Sequence, residues 1–162
     1  IIFYIKIQIF SNLGRDKAWV EKNLVECVYF AKDKGYEVTI GFEDASRADI
    51  NYLISLCEIV KKIDVKRIRY ADTVGILMPS TTGEAINAII NNTGMEVEIH
   101  AHNDFGMAIP ISLEAVKCGA KYVDCTLGGI GERAGNCNLE EFLKVSNAYL
   151  EIDKILNKAE AK

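Results

Sequence analysis

Apolar and polar positions along the chain follow two periods in turn. From Asp16 to Gly35 the residues Trp19, Val20, Leu24, Cys27, Val28 and Ala31 recur at three- and four-residue spacing, with Gly35 as a stop, which predicts an amphipathic helix. YEVTIGFED is rich in β-branched and aromatic residues and predicts a strand. Ser46, with Asp49 three positions on, then predicts the cap of a helix carried by the apolar-periodic run Ile50 to Ile63. The unit recurs: RIRYAD is a strand, Pro79 and a Thr81/Glu84 capping box open a helix, and Ala85 to Ile90 form its apolar face. VEIHAH begins another unit, followed by a helix near Met107 to Cys118. A short strand KYVDCT, a glycine-rich loop GGIGERAGN and a closing helix from about Leu139 to Leu156 complete the series. The opening IIFYIKIQIF alternates in its second half as a strand would, and the tail over residues 157–162 is expected to fray.

Strands starting near positions 36, 66, 96 and 121 lie 30, 30 and 25 residues apart, close to the ~30 residues of a βαβ unit. This alternation predicts a parallel α/β fold. No Pro-rich linker, composition shift or low-complexity segment divides the chain, so residues 1–162 are expected to form a single domain. Two parallel folds compete, the open doubly wound sheet and the closed eight-stranded barrel, and both place chemistry at the C-terminal ends of strands. A complete barrel takes about 250 residues. Pattern alone leaves the choice open.

Composition narrows the class of partner. At 49% hydrophobic and 26% charged, the 162 residues suit a soluble globular domain and exclude disorder or a collagen-like repeat. A net charge of -4 offers no basic surface for nucleic acid or an anionic membrane, leaving small molecules as the expected partners. The most apolar stretch, the first ten residues, is far short of the roughly 18 that a membrane helix needs and lacks the marks of a signal peptide. Five cysteines, odd in number and without a C-x-x-C pair, are expected to be reduced thiols, which points to the cytoplasm. The chain opens on Ile1 rather than Met, the start expected of a trimmed chain or a piece of a longer one.

Every strand ends in polar residues able to do chemistry: Glu43 and Asp44, then Asp72 and Thr73, then His100 and His102. Taken singly, such residues also cap the next helix. The histidines are the strongest signal, because residues two apart on a strand face the same side and the chain has no others. With Asn103 and Asp104 following, they fit a divalent metal site. Two protein ligands are too few for a catalytic metal, and Asn136 is a candidate for a further donor. The loop around Gly128, Gly129 and Gly131 follows a strand as a phosphate-cradling loop would, yet matches neither G-x-G-x-x-G nor the P-loop. Glu132 and Arg133 either pair with other loops or stiffen the turn, and Arg47 either binds a carboxylate or is solvated.

Read together, GFEDASRAD, RYADTVGILMP, HAHNDFGMA and GGIGERAGNCNLEE resemble the metal-dependent, acyl-CoA-condensing enzymes of the homocitrate, isopropylmalate and citramalate synthase family, within a superfamily that also contains hydroxymethylglutaryl-CoA (HMG-CoA) lyase. The resemblance runs from about Leu13 to Leu150 and implies a partial TIM barrel, the C-terminal part of a pyruvate carboxyltransferase/HMGL-like (β/α)8 domain. It implies that His100 and His102 are metal ligands for Mn, Mg or Zn, with Asn136 at or next to the metal. Glu43 resembles the glutamate of acetyl-CoA enolisation. Thr73 matches the position that hydrogen-bonds the 2-oxo acid carboxylate, Arg47 is a motif member expected to bind substrate with it, and Asp44 and Asp104 are motif members with less defined roles. Gly129, Gly131, Glu132 and Arg133 belong to the loop that folds over the acyl end.

The wording ADTVGIL and GFEDASRAD looks most like homocitrate synthases of the nitrogenase-associated type, which join acetyl-CoA to 2-oxoglutarate; isopropylmalate synthase is the next resemblance. Lysine-pathway homocitrate synthases carry an Arg-x-Ser pair where Thr39 and Gly41 stand here. The family's opening Arg-Asp-Gly-Glu motif, whose aspartate completes the metal site, does not occur in this chain. Alone it is therefore expected to be inactive and to associate with an N-terminal half-barrel subunit or with copies of itself; a vestigial, non-catalytic half-barrel is the alternative.

Overall fold

The computed structural model describes residues 2–6 and 16–160. Five strands, β1 (Ile2–Lys6), β2 (Thr39–Glu43), β3 (Arg67–Ala71), β4 (Glu96–His100) and β5 (Tyr122–Asp124), form one sheet in the order β1-β2-β3-β4-β5. Every pairing is parallel, with Gly41 beside Arg69, Ala71 beside His100 and His100 beside Asp124. Strand order that follows chain order means that each crossover moves one place in the same direction. With right-handed connections, all helices then fall on one face of the sheet. A doubly wound sheet reverses its order at a switch point. The fold is thus a partial TIM barrel, which settles the choice that periodicity left open.

The helices are α1 (Lys17–Asp33), α2 (Ile50–Lys62), α3 (Pro79–Thr93), α4 (Ala108–Lys117) and α5 (Leu139–Glu160). Asp16 caps α1 by accepting the Trp19 N–H at 2.8 Å, and Val20, Leu24, Val28 and Ala31 form its buried stripe. Two expected caps are placed differently. Ser46 lies in a short 3-10 turn (Ala45–Arg47), and Asp49 itself caps α2 by accepting the Asn51 N–H. Thr81 does not start a box with Glu84. Pro79, with its fixed φ, takes the first helical position, so Thr81 falls at the third and its hydroxyl reaches back to Met78. The closing helix runs through Glu160, taking in the first four residues of the tail expected to fray. The strand in the opening segment is Ile2–Lys6; residues 7–15, with most of the expected alternation, lie outside the described residues.

The core lies between sheet and helices. Ile40 and Phe42 of β2, Ile68 and Tyr70 of β3, and Val97 and Ile99 of β4 point toward the helices and are buried against Leu53, Leu56, Ile86, Ile89 and Ile111. Because side chains alternate along a strand, the residues between them face the barrel interior. Those are Gly41 and Glu43, Arg67 and Arg69, Glu96, Glu98 and His100, and Tyr122 and Asp124. TIM-barrel interiors are usually layers of Val, Ile and Leu; here the interior is a lattice of charge.

Candidate active site at the C-terminal ends of the strands

β4 carries His100 at its end and His102 two residues later, so both rings project to the same side. Their Nε2 atoms lie 3.3 Å apart. His100 Nδ1 is 2.9 Å from Asp124 Oδ2, and His102 Nδ1 is 3.4 Å from the Gly135 carbonyl oxygen. A carboxylate and a carbonyl can only accept, so both imidazoles carry the proton on Nδ1, and each turns an Nε2 lone pair toward the other. Two acceptors facing at that distance call for a cation or a proton between them. Glu132 adds a carboxylate oxygen 3.3 Å from His102 Nε2. Asn136 forms an isolated bridge with His102; its amide donates to the Ile130 carbonyl at 3.0 Å, while its Oδ1 is buried without a hydrogen-bond partner. Two converging imidazoles, with an unpaired buried amide oxygen on the residue bridged to His102, are donors of the kind a divalent ion takes. Among the described residues no three His, Cys, Asp or Glu side chains form a complete metal cage.

Glu43, at the end of β2, is 19% exposed, and both of its oxygens are engaged: Thr73 donates its hydroxyl to Oε2 at 2.8 Å, and Arg69 Nη2 donates to Oε1 at 3.1 Å. The Thr73 oxygen in turn accepts the Asp44 N–H at 2.7 Å. Thr73, expected to face a substrate carboxylate, therefore has its proton directed to Glu43. Arg69 also donates from Nη1 to Asp124 Oδ2 at 2.9 Å. Glu43, Arg69, Asp124 and His100 thus form one continuous chain across four strands. The hydrogen bond from His100 holds the Asp124 carboxyl below the usual carboxylate range against the opposing effect of burial, with the Arg69 charge assisting.

The remaining predicted residues fall into two groups. The Arg47 guanidinium forks onto Asp44 at 2.8 and 2.5 Å, and the Asp44 amide in turn donates to Thr73. Asp72 is fully buried and caps the following turn, accepting the Ile76 and Leu77 N–H groups at 3.0 Å. The glycine-rich loop, in contrast, closes against the histidine loop. Arg133 grips Asp104 with two bonds of 2.8 and 2.9 Å, and that contact holds the Asp104 carboxyl low. Glu132 is also held low, first by its own backbone N–H, with the Arg133 charge assisting. At Gly131 a Cβ would lie 2.5 Å from the Asn136 amide nitrogen, so any side chain there would displace Asn136. At Gly135, with φ +92°, a Cβ would lie 2.2 Å from the Gly129 carbonyl oxygen.

Arg69 and Asp124 are the site residues that sequence reasoning missed. The signal for Arg69 was present: in RIRYAD two arginines alternate with Ile and Tyr, which puts both on the face away from the helices. Asp124 ends its strand as Glu43 and His100 end theirs. A cavity of about 350 Å³, lined by Tyr36, Lys66, Arg67, Glu96 and Tyr122 among others, lies at the opposite, N-terminal ends of the strands. Its charges pair internally: Lys121 and the Tyr122 hydroxyl both bond Glu96, and Arg67 stacks on the Tyr122 ring. In parallel barrels the chemistry belongs to the other end. The five cysteines are free thiols; burial pushes Cys57 and Cys125 up to about 12, which keeps both thiols protonated. No helix among the described residues is long and apolar enough to cross a membrane.

Comparison with known proteins adds relatives to this geometry. The family model described as HMGL-like matches residues 2–158. The chain is 52% identical over 139 residues to "Homocitrate synthase subunit alpha" of Clostridium pasteurianum, a match covering 86% of this chain and 52% of that protein. It is 43% identical over 147 residues to "2-isopropylmalate synthase 2" of Caldanaerobacter subterraneus subsp. tengcongensis, covering 91% of this chain and 38% of that one. Among solved structures, an HMG-CoA lyase of Bacillus subtilis superimposes with a TM-score of 0.79 at 15% identity, covering 91% of this chain and 55% of that one, a likeness of fold. The chain spans about half the length, or less, of the curated relatives it matches.

Proposed function

The chain belongs to the HMGL-like family, and from that premise we propose that it is the metal-binding, C-terminal part of a barrel that condenses acetyl-CoA with 2-oxoglutarate to give homocitrate. The observation that carries the reading is the convergence of His100 and His102 at 3.3 Å beside the Glu43–Thr73–Arg69 cluster, all on one rim. His100, His102 and Asn136 would hold a divalent ion (Mn, Mg or Zn), which when bound polarises the carbonyl of the 2-oxo acid as a Lewis acid.

The chain's own residues supply the rest. Glu43 is the base for the methyl proton of acetyl-CoA. A carboxylate has about four acceptor positions, and Thr73 and Arg69 take one on each oxygen, which fixes its plane and leaves lone pairs for the proton. Thr73, anchored by the Asp44 amide, keeps that carboxylate in place as charge shifts. The loop from Gly129 to Asn136, clasped by the Arg133–Asp104 pair, closes over the histidines during condensation, and water then hydrolyses the condensed thioester, breaking its C–S bond to release CoA as the free thiol.

Two features support association with an N-terminal half-barrel. Among the described strands β1 and β5 each pair on one side only, and Phe105, Leu127 and Ile130 stand more than 60% exposed on the loops around the histidines. The "subunit alpha" of the Clostridium relative's name is in keeping with a divided enzyme. On this reading residues 1–162 are one structural unit that works in the cytoplasm with a partner.

A second reading, 2-isopropylmalate synthase, is favoured by the 43% identity to a protein of that name over 91% of this chain. Metal titration and thiol release test both. With the N-terminal half supplied, thiol release from acetyl-CoA is expected to require 2-oxoglutarate, and Mn or Zn binding is expected to be lost in His102→Ala. Dependence on 2-oxoisovalerate would transfer the assignment to the second reading, and unchanged metal binding in His102→Ala would sink the site.

A further inference from the structure

Arg69 is 6% exposed, as little as the core residue Tyr52, yet it is a cation on the interior face. Its position follows from register. On β2 its neighbour is Gly41, which puts no side chain between the guanidinium and Glu43, two residues further along the same face. On its other side Arg69 reaches past β4 to β5. One fork thus ends on Glu43 Oε1 at 3.1 Å and the other on Asp124 Oδ2 at 2.9 Å, the same oxygen that lies 2.9 Å from His100 Nδ1.

We propose that Arg69 is the positioning residue of this site: it holds the base Glu43 and, through Asp124, the ring of the metal-ligating His100 in a fixed mutual arrangement. The inference rests on the functional reading above and deepens it.

Three physical points carry it. First, a carboxylate partner on Nδ1 fixes the tautomer and orientation of a ligating histidine, and that partner must itself be held. Arg69 is the cation that holds it. Second, Glu43 and Asp124 are two partly buried carboxylates on the same face. Without a cation between them they would repel one another and turn toward solvent, taking the base and the imidazole out of register. Third, the task needs arginine in particular. A planar guanidinium presents N–H groups in a rigid fork that can serve two carboxylates at once, whereas an ammonium is a compact charge on a flexible stem. A merely structural ion pair would stiffen the barrel at any place along the strands. Arg69 instead joins the two side chains that the reaction needs to keep aligned.

The test uses the barrel completed by its N-terminal half, with the variants Arg69→Met, Arg69→Lys and Asp124→Asn. The readouts are kcat and KM for thiol release, exchange of the acetyl methyl hydrogens with D2O, and Mn2+ affinity by electron paramagnetic resonance. Arg69→Met is expected to lower kcat and methyl exchange by about 10- to 100-fold and to weaken Mn2+ binding by a similar factor, with KM for acetyl-CoA little changed. Arg69→Lys is expected to fold and to recover only part of each loss. In the Asp124→Asn background the effect of Arg69→Met on Mn2+ affinity is expected to shrink, because it acts through Asp124.

Unchanged kcat and Mn2+ affinity in Arg69→Met would overturn the proposal, as would additive losses in the double variant. If Arg69→Met fails to fold, Arg69→Lys decides: wild-type kcat there removes the need for the fork. A wild type that releases no thiol with any 2-oxo acid and binds no Mn2+ overturns the functional reading and this inference with it. A wild type that condenses while Arg69→Met does so equally well overturns the inference alone.

Discussion

The two faces of the sheet are built from the same strands and could hardly differ more. Toward the helices, Ile40, Phe42, Ile68, Val97 and Ile99 are 0% exposed and belong to one apolar cluster. Toward the barrel interior, Glu43, Arg67, Arg69, Glu98, His100 and Asp124 meet through ion pairs and hydrogen bonds, with side chains between 8% and 31% exposed. One residue's shift along a strand moves a position from one regime to the other. Stability and chemistry are thereby assigned to opposite sides of a single layer. The apolar face gains from burial whatever its exact partners, while each charge on the other face is tolerated only because a specific counter-charge has been brought to it.

That contrast can be broken most directly on the helix side. Phe42→Ala removes a fully buried ring and is expected to cost about 3–5 kcal/mol, read as a lowered denaturant midpoint. It should leave Mn2+ affinity unchanged in the molecules that remain folded; a cost under about 1 kcal/mol, the size of a surface change, would show that the helix face is not where stability resides. A smaller effect is expected at the rim. Gly135→Ala forces a Cβ onto the Gly129 carbonyl at positive φ, a strain of about 1–3 kcal/mol, and displaces the loop that carries Glu132 and Asn136. Its mark should be weakened metal binding with only a modest change in midpoint, the reverse of Phe42→Ala.

The smallest effect belongs to the lower end of the interior face, where Glu96 accepts from Lys121 at 2.7 Å in an exposed setting. The bond from Lys121 holds the Glu96 carboxyl below its ordinary value. A carboxyl lowered in the folded state contributes stability that is fully present above its unfolded pKa of about 4.3 and is lost as pH falls through the lower folded value. Glu96→Gln is therefore expected to shift the midpoint slightly at pH 7 and not at all once the pH is below that lower value. A difference that persisted there would mean that the side chain acts by packing and not by charge.

How much of this was legible in the sequence depends on the range of the contact. The face carrying His100 and His102 could be read from their i, i+2 spacing, and the helix stripes from Val20, Leu24 and Val28, because a strand or helix sets those directions within a few residues. The caps were half legible: Asp49 and Thr81 were singled out, but Asp49 caps alone and Thr81 serves Met78, since Pro79 decides where the helix begins. Arg47, expected to contact substrate, pairs with its neighbour Asp44, a local contact made in a 3-10 turn that the sequence pattern did not predict.

By itself, then, the sequence determined the α/β alternation, the parallel sheet, the polar rim and the motifs that carry the family. Those motifs implied the partial barrel, which the strand order bears out; only the tertiary structure decided that Arg69, 26 residues from Glu43 and 55 from Asp124, closes the line from base to histidine. The reason is physical: periodicity reports which face a residue takes, whereas which strands lie side by side, and in what register, is set by the simultaneous packing of helices and strands far apart in the chain.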